Sequence, residues 1–332
     1  METRAVVFKN PLEVDLETIN VPEPKEGEVL VKTLYSGIST GTELRMLKGS
    51  VSEAENMFPF VPGYSTCGCV EKTGPGVNIK IGKLVYLIGS DYFKEFNSGW
   101  GGHVGMVVAK ADKAIILPDN IKPADATFIA VAGIACHGVL RCGNVKDKTV
   151  AIVGQGLIGQ LAGQFFKKEE AKVIAIDLQD NRLETAKKLG ADYVINSGKN
   201  NMLEEIRKIF PEGVDVAVDV TGHAPTIKET VKLLRAKTVL GQDPNPIFLL
   251  LGSYNGDIAF NYFDIYPKEP NVLISRNTNN REMELMSKMI ANKEIRVEEL
   301  VSKIFKPEQA VSAYKSLLEK PGEILSALFD WR

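Results

Sequence analysis

"TVAIVGQGLIGQLAGQFFKKEEAKVIAID", residues Thr149 to Asp177, decides the fold. It opens on an apolar run, passes through a glycine-rich turn into a helical pattern, and closes on a second apolar run ending in an acid. Gly154, Gly156 and Gly159 sit at the turn in the spacing G-x-G-x-x-G. A strand that feeds a helix this way needs glycine for the tight turn, for backbone approach to a pyrophosphate, and for close helix–strand packing. The helix N-terminus then offers free N–H groups and a positive dipole end to phosphates. Asp177 lies eighteen residues beyond Gly159, where a ribose-binding acid belongs. Glycine packing beside a solvated acid is the bland alternative, and the strand–turn–helix–strand setting speaks against it.

The same rhythm runs on towards the C-terminus. "YVIN", "VDVAVDV" and "IFLLLG" read as strands; "NRLETAKKLG", "NMLEEIRKIF" and "APTIKETVKLLR" read as helices. Apolar strands joined by crossover helices predict a parallel, doubly wound sheet. Towards the N-terminus the pattern changes. "TRAVVF", "EVLVKTLY", "KLVYLI", "HVGMVVA" and "AIILP" are short alternating strands with Gly and Pro punctuation, which predicts a small β-barrel-like domain. Pro118 and Pro123 bracket a linker, and "ADATFIAVAGIACHGVLRC" reads as one long apolar helix started by Asp125. After residue 271, "NVLISR", two helices and a last strand, "ILSALFD", read as a tail folding back onto the first domain. The expected class is α/β, with a barrel-type domain over 1–122 and 272–332 and a Rossmann domain over 123–271.

Composition narrows the function. At 332 residues the chain can bury two cores, and 44% apolar with 25% charged residues is ordinary for a globular protein. A net charge of −2 with no block of like charges argues against a nucleic-acid partner. No long uncharged apolar run predicts a membrane span, and "METRAVVFKN" reads as a strand rather than a leader peptide. The four cysteines suit a reducing cytoplasm. Cys67 and Cys69 share one face of a strand and could in principle share a metal. Without a C-x-x-C pair, buried apolar thiols are the better reading.

Asp177 bears on which dinucleotide binds. Its carboxylate can accept from both ribose hydroxyls of NAD, whereas a 2′-phosphate about 4 Å away is opposed by about 1 to 4 kcal/mol per unit charge. Arg182 follows by a helical turn and can soften that repulsion or line the adenosine side. NAD is the expected cofactor.

The stretch "SGISTGTELRMLKG", Ser36 to Gly49, gathers Ser36, Ser39, Thr40, Thr42, Glu43, Arg45 and Lys48 ahead of "FVPGYSTCG". Together with "VPGYSTCGCVEKTGPGV" and "GQGLIG…AIDLQDNRLETAKKLGADYVIN", it resembles the medium-chain dehydrogenase/reductase superfamily over nearly the whole chain. That resemblance implies a GroES-like first domain, a Rossmann domain and a nicotinamide cofactor. It adds Gln155, Leu157 and Ile158 of the glycine turn, and Thr221, Gly222, His223 and Gly252 at later strand ends, to the cofactor-binding residues. It also implies a homodimer or homotetramer, a small-molecule alcohol or ketone substrate and a cytoplasmic enzyme.

The zinc alcohol dehydrogenases of that superfamily hold a metal on a Cys of "GICGTDLH", a His–Glu pair of "PGHE", and a third Cys or acid before the central helix. Here Ser39 stands where the cysteine would be, Tyr64 and Ser65 replace the His and Glu, and Val131 falls near the third position. "GSDYFKEFNSGWGG" carries none of the cysteines of the structural-zinc lobe. Zinc takes thiolate, imidazole or carboxylate ligands, so no catalytic and no structural zinc is expected. The wording "SGISTGTE…GYS" resembles a zinc-lacking branch that includes 2-desacetyl-2-hydroxyethyl bacteriochlorophyllide dehydrogenases and sugar- or cyclitol-like dehydrogenases.

Without a Lewis acid, side chains must handle the hydroxyl proton. Thr42 matches the Ser/Thr that contacts the substrate oxygen in the zinc enzymes. Tyr64 can act as acid or base if Arg45 or Lys48 lowers its pKa. Glu43 can orient Arg45 or a hydroxyl. The bland readings are turn capping for Thr42 and Ser39 and a core ring for Tyr64. Arg276, in "NVLISRNTN", matches an active-site Arg of polyol-dehydrogenase relatives or makes a surface salt bridge. Of the histidines, His137 reads as a helix residue near the domain cleft, His103 as the start of a strand with a chance of facing that cleft, and His223 as a cofactor contact or helix cap. The expected reaction interconverts a secondary alcohol and a ketone on a sugar-, polyol- or cyclitol-like substrate. Alternatives are a hydroxyethyl tetrapyrrole dehydrogenase, an enone or quinone reductase, and a catalytically silent NAD(H)-binding protein.

Overall fold

The two apolar runs that flank the glycine turn are neighbouring parallel strands, Thr149–Val153 and Lys172–Asp177, in register from Thr149 opposite Lys172 to Val153 opposite Ile176. This computed structural model describes residues 1–50, 57–90, 96–98, 100–236, 245–320 and 322–332. The chain divides into two compact units, Met1–Ala130 with Met283–Arg332, and Val131–Glu282.

The second unit is built on six parallel strands, in the order Tyr193–Asn196, Lys172–Asp177, Thr149–Val153, Val216–Asp219, Ile247–Leu250 and Asn271–Ile274. Numbered along the chain this is 3-2-1-4-5-6, so the winding direction reverses beside the first strand, where such sheets bind ligands at their carboxyl ends. The inner strands are apolar on both faces because helices cover both. Ala151, Ile174, Ala217 and Phe248 are fully buried in one shared core with Ile206 and Ile227. The helix Leu157–Lys168 buries Leu161, Ala162, Phe165 and Phe166 and ends on Lys167 and Lys168, cations suited to a helix C-terminus. Asn201 accepts from Leu203 N and Glu204 N and so caps the helix Met202–Ile209, a contact worth about 1 kcal/mol.

Two expectations change here. Asn271–Ile274, read as the start of the returning tail, is the sixth strand of this sheet, paired with Ile247–Leu250. The chain rejoins the first unit only from Met283. The long apolar helix is two helices, Pro123–Ala126 and Ile129–Leu140. Thr127 closes the first by donating its hydroxyl to the Ala124 carbonyl, 2.6 Å away, a local competition with helix continuation typical of Thr. The boundary between the units falls inside the second helix, after Ala130.

The first unit carries a seven-stranded sheet and a four-stranded one. The long strand Glu28–Ile38 pairs with Thr66–Thr73 on one side and, at its far end, with the last strand, Ala327–Asp330, on the other. Phe8, Phe60, Tyr314 and Phe329 fill the core where the N-terminal strand, the C-terminal helix Ala310–Glu319 and the last strand meet. His103 precedes its strand rather than beginning it: pairing with Glu28–Lys32 starts at Met106. Residues 103–105 instead cross between the sheets, with Val6 N donating to His103 O and Thr33 N to Gly105 O. Among the described residues, no helix is long and apolar enough to cross a membrane.

Candidate functional site

The glycine turn of the second unit is shaped as the sequence implies. Gly154 has φ of +98°, which favours glycine, and a Cβ on Gly159 would lie 2.0 Å from the Gly154 carbonyl oxygen. Gly156, at the N-cap of the helix Leu157–Lys168, differs: nothing lies within 4 Å of where its Cβ would be, and no side chain caps the helix. That leaves open space beside unclaimed N–H groups at a positive helix end, the fit a pyrophosphate requires. Leu157 and Ile158 are half-buried and Gln155 is buried, its amide donating to the Ile152 carbonyl.

Asp177 closes the turn. One oxygen accepts from Gln155 N at 2.6 Å and the other from Gln179 N at 2.9 Å. The Arg182 guanidinium lies 3.7 Å from the first oxygen, so the arginine sits at this acid itself rather than a helical turn away from it. Each carboxylate oxygen keeps lone-pair capacity for a ribose hydroxyl.

At the next strand end, Thr221, Gly222 and Gly252 surround an unanticipated group. Asp219, fully buried, accepts from Thr221 N, Thr221 Oγ1, Thr230 Oγ1 and Tyr254 OH, the last at 2.7 Å. Burial beside this carboxylate drives the Tyr254 phenol far above its ordinary pKa, so it stays a donor. A Cβ on Gly252 would lie 2.7 Å from the Tyr254 hydroxyl. The sequence signal was an acid at the end of an apolar strand, "VDVAVDV", the same signal that Asp177 gives. His223 is exposed at the N-cap of Ala224–Thr230, and its side chain makes no capping bond.

In the first unit the polar stretch becomes a hydroxyl cluster. The strand Glu28–Ile38 ends at Ser39, and a six-residue helix, Thr42–Leu47, follows. Ser39 Oγ accepts from Thr42 N at 3.3 Å, the turn-capping role, and also from the Tyr64 hydroxyl at 2.6 Å. The half-buried Tyr64 ring packs edge-on against Trp100, with centroids 5.4 Å apart. Burial is the largest influence on the Tyr64 phenol and raises its pKa. Glu43 adds to the rise, while the Ser39 and Thr42 bonds and the Arg45 charge oppose it. The expected lowering by Arg45 therefore exists but loses to desolvation. Lys48 is exposed and Arg45 half-buried.

Glu43 bonds a hydroxyl, as one of its two expected roles requires, and that hydroxyl is the distant Tyr314. It is fully buried and accepts from Ser39 N, His103 Nε2 and Tyr314 OH. His103, equally buried, does not face a cleft; its Nδ1 lies 2.8 Å from Ser36 Oγ. His137 and Arg276 belong to the second unit. His137 Nδ1 pairs with Glu282 at 2.7 Å, and Arg276 is exposed just past the sixth strand.

A zinc ion does not fit this donor set. Ser39, Tyr64, Ser65 and Val131 offer no thiolate, imidazole or carboxylate. Among the described residues no group of three or more His, Cys, Asp or Glu could hold a metal. Cys67 and Cys69 are free thiols whose pKa values burial raises, which disfavours the metal-binding thiolate.

Comparison with known proteins agrees with this architecture. Residues 25–119 match the family model described as an alcohol dehydrogenase GroES-like domain, and residues 158–292 match the one described as a zinc-binding dehydrogenase. The chain belongs to the medium-chain dehydrogenase/reductase superfamily. It is thus an alcohol-dehydrogenase-like oxidoreductase by family. A 2-desacetyl-2-hydroxyethyl bacteriochlorophyllide A dehydrogenase of Cereibacter sphaeroides is 24% identical over 100% of this chain and 99% of its own. A sorbitol dehydrogenase of Bacillus subtilis is 28% identical over 70% of this chain and 72% of its own. Among solved structures, an Escherichia coli CFT073 alcohol dehydrogenase complexed with NADH superposes with a TM-score of 0.84, at 22% identity and 99% coverage of both chains. A Sinorhizobium meliloti 1021 protein described as a zinc-binding dehydrogenase, bound to NADP, gives 0.84 at 23% identity, again covering 99% of each.

Proposed function

We propose that this member of the superfamily is a zinc-independent, NAD-linked dehydrogenase interconverting a secondary alcohol and a ketone on a polar, sugar-, polyol- or cyclitol-like substrate. The observation that carries the reading is the Tyr64 phenol, which donates to Ser39 Oγ at 2.6 Å, both residues standing where the zinc enzymes place metal ligands. Gly154, Gly156 and the N–H groups of Leu157 and Ile158 would hold the pyrophosphate of a nicotinamide dinucleotide, which would supply the hydride acceptor or donor. The chain's own residues handle the proton. Because its pKa is raised, Tyr64 is protonated at neutral pH and can donate to the oxygen of a ketone as that oxygen gains charge; alcohol oxidation returns the proton to the phenolate. Ser39 and Thr42 orient the phenol, and Arg45 adds a positive charge nearby. Arg276 is offered as a further substrate contact.

Asp177 supports NAD over NADP and speaks against an NADPH-linked enone or quinone reductase. The polar character of the Ser39–Thr42–Arg45 face and the likeness to a sorbitol dehydrogenase support the oxygen-rich substrate. The full-length likeness to the bacteriochlorophyllide dehydrogenase favours a second reading, a hydroxyethyl tetrapyrrole substrate. A homodimer or homotetramer fits the sixth strand, an edge with exposed Val272 and Ile274 that a second copy can cover. The free cysteines suit a cytoplasmic location.

The test is turnover of a panel of polyols, cyclitols and a hydroxyethyl tetrapyrrole with NAD, on wild type and Tyr64→Phe. Loss of a positioned acid–base group should lower kcat by about 10² to 10⁴-fold while NADH affinity stays unchanged. Full activity of Tyr64→Phe, or stoichiometric zinc whose removal abolishes turnover, would refute the proposal.

A further inference from the structure

Glu43 sits on a helix too short to hold it by packing alone, yet its carboxylate is wholly removed from water. A carboxylate in that position requires several donors. One oxygen accepts from Ser39 N at 2.9 Å; the other accepts from His103 Nε2 at 2.9 Å and from Tyr314 OH at 2.5 Å. The chain of bonds continues outward: His103 Nδ1 meets Ser36 Oγ, which accepts from the Trp331 indole N–H at 2.9 Å. Directions close when Ser36 donates to Nδ1 and Nε2–H donates to Glu43, leaving no member unsatisfied.

The inner end of this network is the Ser39 backbone, and Ser39 Oγ is the acceptor for Tyr64. The turn itself has other bonds, Glu43 N to Ser39 O and Thr42 N to Ser39 Oγ. The side chain of Glu43 therefore adds a constraint beyond turn formation: it fixes the Ser39 N–H, and with it the backbone from which Oγ projects. His103 lies rigidly behind Glu43, its ring edge-on to Phe329 at 5.1 Å, and Tyr314 is wedged edge-on against Phe8 at 4.9 Å. Burial against the carboxylate raises the Tyr314 pKa well above its ordinary value, so it remains a donor throughout the working pH range.

We propose that His103 and Tyr314 are positioning residues for the proton-transfer group: through Glu43 they hold Ser39, and through Ser39 they aim the Tyr64 hydroxyl. The inference rests on the reading of Tyr64 as the acid–base group. It assigns a role in the chemistry to the C-terminal helix, which touches Tyr64 only through intermediates.

A double-mutant cycle tests it. Tyr314→Phe keeps the ring and removes one donor. Since small displacements of a reacting group are costly, kcat should fall about 5- to 50-fold, with KM and NADH Kd within about 2-fold of wild type. In a Tyr64→Phe background the same substitution should change kcat by less than about 2-fold, because the group it aims is gone. An undiminished loss in that background, or an unchanged kcat in the single variant, overturns the proposal. His103→Gln, read in the same cycle, decides the matter if Tyr314→Phe does not fold. Full activity of Tyr64→Phe alone would instead remove the proton-transfer reading, a separately visible failure.

Discussion

The cradle of the second unit and the hydroxyl cluster of the first are both polar sites on strand ends, but they are made differently. The cradle comes from one continuous segment, from Thr149 to Arg182, and presents backbone N–H groups beside the gap that Gly156 leaves open. The acid at its end, Asp177, bonds back to the turn. The hydroxyl cluster is made of side chains drawn from far apart; Glu43 and Tyr314 are 271 residues distant in sequence and 2.5 Å distant in space. A site made of backbone constrains few residue types and fixes their spacing. A site made of side chains leaves spacing free and depends on packing. Substitutions should therefore act on the two sites in different ways.

The largest expected effect is on cofactor choice. Asp177→Asn keeps an oxygen to accept the Gln155 N–H but removes the charge facing a 2′-phosphate. The ratio of NAD to NADP efficiency should fall by a factor corresponding to about 1 to 4 kcal/mol. The Arg182 guanidinium, already 3.7 Å from the carboxylate, is then free to meet that phosphate. Steady-state kinetics with both cofactors checks this, and a ratio unchanged by the substitution would show that Asp177 serves only to close the turn.

A paired substitution separates folding from binding within the cradle. Gly159→Ala drives a methyl group into the Gly154 carbonyl, an overpacking that costs about 1 to 3 kcal/mol and should lower Tm and weaken NADH binding about 5- to 150-fold together. Gly156→Ala meets nothing in the protein itself. It should leave Tm within about 1 °C of wild type and still weaken NADH, because only the ligand occupies that space. Calorimetry and fluorescence titration on the two variants give the answer. Unimpaired NADH binding by Gly156→Ala would put the pyrophosphate elsewhere.

This contrast also explains what could be read in advance. The strand–turn–helix over Thr149–Lys168 and the acid at Asp177 were legible because local backbone geometry dictates the residue types. Asn271–Ile274 was misplaced because an edge strand, apolar on exposed positions too, looks the same whichever sheet it joins. His103 was expected in a strand because "HVGMVVA" alternates, yet the first three residues cross between sheets. Nothing local in "EQAVSAYKSLLEK" marks Tyr314 as a partner of Glu43, since helical periodicity explains a buried tyrosine fully. The direction of the Tyr64 shift was likewise invisible: Arg45 is near in sequence, whereas the burial that outweighs it comes from the fold.

That last point gives the most diagnostic prediction. Tyr64 is faced by Glu43, which raises its pKa, by Arg45, which lowers it, and by the hydroxyls of Ser39 and Thr42; burial decides the sum, above the usual tyrosine value. A phenol of that kind is protonated across neutral pH, so kcat/KM for ketone reduction should stay level from pH 6 through the ordinary tyrosine range and fall only above it. Alcohol oxidation needs the phenolate, so its kcat/KM should climb about tenfold per pH unit, 1.36 kcal/mol each, until the phenol titrates. Were Arg45 dominant, the climb would end before pH 10 and reduction would decline there. An inflection between pH 6 and 7 in either direction would point instead to an imidazole. The same profiles on Tyr64→Phe should lose their slope, which ties the pH dependence to this hydroxyl rather than to the glycine cradle.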